Sequence, residues 1–217
     1  MSGKNQCIGV VLAGGRSMRL GRDKCRIDLG GRDFVARSVD LLSGLCPETW
    51  VVGRNASVHG LNVPWTLDDY PDRGPLGGIL TALNRAEGRP CLVLACDLPF
   101  MDQGTLRTLV QARGHKRPHA VLTTFEQSET GYIESLAAVY EPEAKKFLLA
   151  GIEQGRHKLS RLIPADYRHP VYYSRQQSLP FFNVNYPCDL ALLENFRETV
   201  ISRDKSGVFS LVGEAAS

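Results

Sequence analysis

Short apolar runs alternate with segments of helical period through residues 7–125. CIGVVLA (7–13) has the length and β-branched content of a buried strand. In DFVARSVDLLSGL (33–45), Phe34, Val35, Ser38, Val39, Leu42 and Leu45 fall near one helical face, with Asp33 placed to cap the first turn. TWVVG (49–53) predicts a second strand, and GPLGGILTALNRA (74–86) a turn running into a helix. CLVLACDLPF (91–100) predicts a strand that stops at Pro99; Asp102 caps a helix through Arg113, and AVLTTF (120–125) returns as a strand.

This alternation implies parallel βαβ units: a Rossmann-like α/β fold, with a mostly parallel central sheet and helices on both faces. Right-handed crossovers bring every strand-to-helix turn to one edge of such a sheet. Ligands bind at that edge, near a switch in strand order. Three unusual stretches belong there: 12–24 after the first strand, 68–78 before a helix, and 97–101 after a central strand.

The second half is less regular. ESLAAVY (134–140) predicts a strand, and PEAKKFLLAGIEQG (142–155) a helix with Pro142 in its first turn and Gly155 past its end. VYY (171–173) and FFNV (181–184) predict short strands, and Pro187 with Asp189 opens a last helix over 187–197. No internal repeat or long low-complexity linker divides the 217 residues, which suit one domain.

Composition narrows the chemistry. The formal charge of +3 is too small an excess to argue for nucleic acid, though it leaves room for a local cationic pocket. The polar start MSGKNQ and the short apolar run after it suit neither a signal peptide nor a membrane span, so a cytoplasmic protein is expected. The six cysteines form no Cys-x-x-Cys pair and indicate neither a zinc site nor a redox motif. Cys7, Cys91 and Cys96 lie in apolar runs and are expected as reduced, buried thiols.

LAGGRSMRLGRDK (12–24) is neither a Walker loop nor the Gly-x-Gly-x-x-Gly of a dinucleotide fold. It nevertheless has the physics of a phosphate loop. Gly14 and Gly15 let backbone N–H groups approach an anion, and Arg16, Arg19, Arg22 and Lys24 supply charge. Each hydrogen bond to an ionised group is worth roughly 1.5–3 kcal/mol. The alternative is a solvated turn whose cations only keep it soluble.

A triphosphate needs a counter-ion, and magnesium takes one or two carboxylates together with phosphate oxygens and water. Asp97, at the end of CLVLACD, is placed to supply one; the alternative is a strand-end cap. In DDYPDRGPLGG (68–78), one aspartate can accept from a base, and Gly77 and Gly78 allow close approach of a flat ligand. Turn chemistry explains the same residues as well.

In this order, LAGGRSMRLGRDK, DDYPDRGPLGG, CDLPF and NVNYPCDL resemble the motifs of the molybdenum cofactor guanylyltransferase (MobA-type) family, from residue 8 to about 196. The resemblance implies transfer of GMP from GTP to the terminal phosphate of molybdopterin, with magnesium, releasing pyrophosphate. Motif by motif, it implies that Leu12, Ala13 and Gly14 contact the nucleotide, and Gly15, Arg19 and Lys24 its phosphates. Asp68 (or Asp69) would lie near guanine, with Gly77 beside the nucleotide and Asp97 on magnesium. Asn183 and Asn185 would face the pterin. Apart from the resemblance, Arg156, Lys158 and Arg161 of GRHKLSR (155–161) can meet an anionic acceptor phosphate; the alternative is an exposed basic helix turn. The nucleotide half would then span roughly 1–125 and the acceptor half 126–198, followed by a tail at 199–217.

Arg19 and Lys24 would neutralise charge building on pyrophosphate, and no covalent intermediate is needed. A protein that delivers molybdopterin, or a molybdoenzyme that accepts the product, is the expected protein partner; nucleic acid and membrane are not expected. Gly53 stands where the family often has Asn, with Asn55 as a candidate substitute, and Leu20 replaces a usual Met. Three alternatives remain. A molybdopterin cytidylyltransferase usually begins Ala-Ala-Gly, and a sugar-phosphate nucleotidyltransferase carries a Gly-x-Gly-Thr-Arg loop. The third is a non-catalytic GTP-binding regulator.

Overall fold

The computed structural model describes residues 6–14 and 23–195. One sheet contains β1 (Ile8–Leu12), β2 (Thr49–Val52), β3 (Trp65–Thr66), β4 (Cys91–Ala95), β5 (Leu122–Gln127), β6 (Ile133–Tyr140) and β7 (Arg168–Tyr173). Their order is β3-β2-β1-β4-β6-β5-β7, and every pairing is parallel except the two made by β6. The chain moves outward from β1 to β2 and β3, then crosses to the far side of β1 as β4. The switch point therefore lies between β1 and β4.

Helices α1 (Phe34–Ser43), α2 (Pro75–Arg85), α3 (Gln103–Arg113), α4 (Lys145–Glu153) and α5 (Pro187–Asn195) accompany the sheet. Period-two alternation along β1 divides its side chains between two cores. Val11 joins α1 and α3 on one face, while Ile8, Val10 and Leu12 join α2 and α4 on the other. Two caps stand where the pattern places them: Asp33 accepts from Ala36 N at 2.8 Å, and Asp102 from Thr105 N at 2.8 Å. Pro75 occupies the first turn of α2, where its missing N–H costs nothing.

Three sequence expectations change. FFNV is not a strand: Leu179–Phe181 is a 3-10 turn, and the Val184 N–H goes to the Asp97 carbonyl at 3.0 Å instead of to a ladder. PEAKKFLLAGIEQG opens as a 3-10 turn over Pro142–Ala144 before α4 begins. The short, half-exposed β3 was not expected, because two residues carry no period. The tail at 199–217 and the predicted end of the last helix lie outside the described residues.

Beyond its end, β6 is tied to the helical layer by a buried ion pair. Arg113, the last residue of α3, donates to both carboxylate oxygens of Glu141 at 2.7 and 3.0 Å. Glu141 is 6% exposed, so removing it takes a forked carboxylate partner away from the partly buried Arg113 guanidinium. Glu141→Ala is expected to lower the unfolding free energy by about 3 kcal/mol in urea denaturation. A change under about 0.5 kcal/mol would show the pair to be dispensable.

Candidate functional site

At the carboxyl end of the sheet, backbone pairing continues past the strands. Gly53 donates to Thr66 at 2.8 Å, Ala13 to Val52 at 2.9 Å, Cys96 to Leu12 at 3.3 Å, and Val184 to Asp97 at 3.0 Å. These bonds align the ends of β2, β1 and β4 with the segment 183–185. A cleft of about 560 Å³ opens there, lined by Leu12, Gly14, Lys24, Gly53, Asp68 and Asp97 among others. Leu136 of β6 closes its far wall, and Gly74, Pro75 and Gly78 border it from the first turn of α2.

Asp97 is only 7% exposed, so its charge needs compensation. Lys24 Nζ forms a short ion pair with Asp97 Oδ2 and also donates to Asn185 Oδ1 at 3.3 Å. With its amide nitrogen turned toward the carboxylate, Asn183 donates to both Asp97 oxygens, at 2.8 and 2.9 Å. Burial works against the Lys24 charge, but the Asp97 carboxylate outweighs it and holds the ammonium above its ordinary pKa. Asp189 secures the other side of the segment, accepting from Asn185 N at 2.9 Å and Tyr186 N at 2.8 Å.

Lys24 is itself positioned. Asp23 accepts from Cys25 N at 3.1 Å, capping the 3-10 turn Lys24–Arg26, and the Arg54 guanidinium grips the same carboxylate through two nitrogens. Burial raises the Asp23 carboxyl, but the Arg54 fork more than reverses that and holds it below its ordinary value. Beneath this turn the Cys25 and Cys96 sulfurs lie 3.5 Å apart. Their hydrogen bond lowers the Cys25 thiol and raises Cys96, which burial raises further. The expected burial of Cys7, Cys91 and Cys96 is observed, all three as free thiols.

Two glycine positions shape the cleft. Gly53 has φ +93°, and a Cβ there would stand 2.6 Å from Gly14 Cα. A side chain at position 53 therefore does not fit this backbone. Asn55 caps the turn Ala56–His59, its Oδ1 accepting from Ser57 N at 2.8 Å. At Gly77 a Cβ would meet Tyr70 O at 2.5 Å and Asp68 Oδ1 at 2.8 Å. That close approach lets Asp68 fold against α2, accepting from Tyr70 N at 2.8 Å and from Thr81 Oγ1 at 3.1 Å. Asp69 instead pairs outward with Arg85 at 2.7 Å.

Among the expected site residues, the structure brings Leu12, Gly14, Lys24, Asp68 and Asp97 to one cleft, with Ala13 in its edge row. Gly77 supports Asp68 from behind. Asn183 and Asn185 sit on Asp97 and Lys24 themselves, closer to the centre than a purely acceptor-side role implies. Arg156 and Lys158 do not join them: both are exposed beyond α4, and Arg156 donates to Gln154 Oε1 at 3.3 Å and to the Arg161 carbonyl at 3.0 Å. Gly15 and Arg19, like Arg16, Leu20 and Arg22, lie outside the described residues. Arg54 and Thr81 were missed; Arg54's one signal is its place just after the second strand.

A nucleotide-sized cleft at the switch point, one buried carboxylate, one lysine and a phosphate-loop sequence define a nucleotidyltransferase. The model of the MobA-like NTP transferase domain matches residues 9–180, and the chain belongs to that family. The molybdenum cofactor guanylyltransferase of Rhizobium johnstonii is 29% identical over 214 residues, covering 91% of this chain and 96% of that protein. The molybdenum cofactor biosynthesis bifunctional protein of Synechocystis sp. is 32% identical over 152 residues, 69% of this chain. That match spans only 43% of the bifunctional protein's length. Among solved structures, molybdopterin-guanine dinucleotide biosynthesis protein A from Archaeoglobus fulgidus superposes with a TM-score of 0.70 at 25% identity, covering 88% of this chain and 99% of that one.

Gly53→Ala tests the backbone contact that shapes the cleft. The added methyl would force β1 and β2 apart at the edge, and the expected cost is about 2 kcal/mol of stability with weakened nucleotide binding. Thermal unfolding and a nucleotide titration check both, and unchanged values in the two assays would contradict the geometry.

Proposed function

We propose that this protein transfers GMP from GTP to the terminal phosphate of molybdopterin, forming the guanine dinucleotide form of the molybdenum cofactor and releasing pyrophosphate. The carrying observation is the meeting of Lys24, Asp97, Asn183 and Asn185 at one point of the sheet edge. Phosphate-loop, metal-motif and acceptor-motif residues, far apart in sequence, converge there. Similarity to the Rhizobium enzyme over most of both chains supports the same reading.

The divalent ion of this reading is magnesium. Asp97 offers it hard carboxylate oxygens at the cleft, a donor set that suits an ion coordinated mainly by phosphate and water. Bound there, magnesium would neutralise charge on the triphosphate. Lys24 carries the compensating charge for Asp97 before substrate arrives and lies within reach of the same phosphates. Asn183 and Asn185 fix both partners, so the positive and negative groups are preorganised. Arg54, through Asp23, holds the lysine turn in place. The molybdopterin phosphate oxygen is already a nucleophile, so positioning and charge compensation are the work left to the chain.

No helix among the described residues is long and apolar enough to cross a membrane. A cytoplasmic location, and a partner that hands over molybdopterin or accepts the finished cofactor, belong to this same proposal.

Incubation with magnesium, molybdopterin and each of the four nucleoside triphosphates is expected to release pyrophosphate with GTP alone. Release with CTP instead would reassign the protein as a cytidylyltransferase, and binding of GTP without product would make it a sensor. Lys24→Ala is expected to cut turnover about a hundredfold while weakening GTP binding far less. Equal losses would point to a binding role only. Asp97→Asn should abolish magnesium-dependent turnover with an unchanged circular dichroism spectrum, and full activity in that variant would remove the metal assignment.

A further inference from the structure

A second hollow, about 490 Å³, lies at the same end of the sheet and shares Asn183 with the Asp97 site. Its position follows from an irregularity in β6. Pairing with β5 is regular up to Thr124–Ala138 and resumes at Glu126–Ile133, so β5 advances two residues while β6 advances five. The odd excess of three turns the start of β6 over. Leu136 therefore walls the nucleotide cleft on the α2 side, whereas Glu134 points into the second hollow beside Tyr173.

The floor of this hollow is aromatic. Tyr173 and Phe181 have ring centroids 4.5 Å apart, and Phe125 lies 5.0 Å from Phe181 beneath them. Phe182 and the 54%-exposed Tyr132 form its walls, with the Gln127 amide at the rim. Glu134 Oε1 accepts the Tyr173 hydroxyl at 2.5 Å, and Oε2 has no partner among the described residues. An anchored carboxylate with open lone pairs, set among aromatic faces, suits a flat heterocycle presenting two parallel N–H donors.

Resting on the guanylyltransferase reading above, we propose that this hollow binds the pterin of the acceptor, Glu134 reading its 2-amino-4-oxopyrimidine edge. Guanine carries the same edge, but the nucleotide cleft lies on the opposite side of the β6 irregularity. The pterin is therefore the occupant, and Asn183 joins its hollow to the centre where its phosphate reacts.

The test uses the full-length protein, with fluorescence titration of a 6-substituted pterin phosphate and of the matching lumazine, whose 2-amino group is replaced by oxygen. Wild type should favour the pterin by about tenfold, the effect of one charge-assisted hydrogen bond. Glu134→Gln should abolish that preference, raise the KM for molybdopterin about tenfold, and leave GTP affinity within about twofold. An unchanged preference, or a loss confined to GTP, would overturn the assignment. Pterin selectivity in a protein that releases no pyrophosphate would instead keep the subsite and refute the guanylyl transfer.

Discussion

A carboxylate buried at the end of a central strand dominates this molecule. Asp97 cannot hold its charge in a nearly dry position without donors, and no single segment supplies them all. Lys24 comes from the end of the glycine-rich stretch, and Asn183 from a loop near the far end of the chain. The carbonyl of Asp97 is tied to Val184 as well. Satisfying one buried charge thus fixes where the phosphate loop ends and where segment 183–185 must lie. The same requirement leaves an ammonium and a carboxylate poised beside an open cleft.

Around that point the two faces of the sheet do different work. The α2 side contributes close contacts: the Gly53 backbone against Gly14, Gly78 against the Leu12 side chain, and Asp68 folded onto Thr81. Those contacts narrow the cleft on that side, the side the proposed nucleotide would occupy. The other side, reached through Asn183, is aromatic and carries Glu134. The irregularity in β6 separates them by turning its side chains over between Ile133 and Ala138.

Much of the first half was legible because hydrophobic period and capping chemistry agreed there. Asp33 and Asp102 each mark a helix start in the sequence and occupy one in the fold. The reversed direction of β6 was not legible, since a buried strand reads the same in either direction. FFNV misled for a related reason: its aromatics pack into a core, as a strand's would, but its backbone answers to Asp97. Lys24 and Asp97 could be found because glycine loops and strand-end acids have recognisable settings. Arg54 and Glu134 could not, because one arginine after a glycine, or one acid in an apolar strand, reads as a solvated position. Arg156 and Lys158 looked like a cationic patch, but clustering in sequence does not say whether side chains line a cleft, and these two stay exposed outside it.

The reversal of β6 also bears on how such an enzyme can diversify. Because β6 runs against its neighbours, the hairpin joining it to β5 turns at the ligand edge, closed by Gln127 N to Tyr132 O at 2.8 Å. Surface hairpin tips accept insertions and deletions readily, whereas the cleft beside α2 is built from closely packed segments that do not. Changes of length at residues 128–131 would alter the rim of the second hollow without moving β1, β2 or α2. The second hollow can therefore change shape while the cleft beside α2 keeps its backbone, so the two hollows of one sheet edge are free to vary separately.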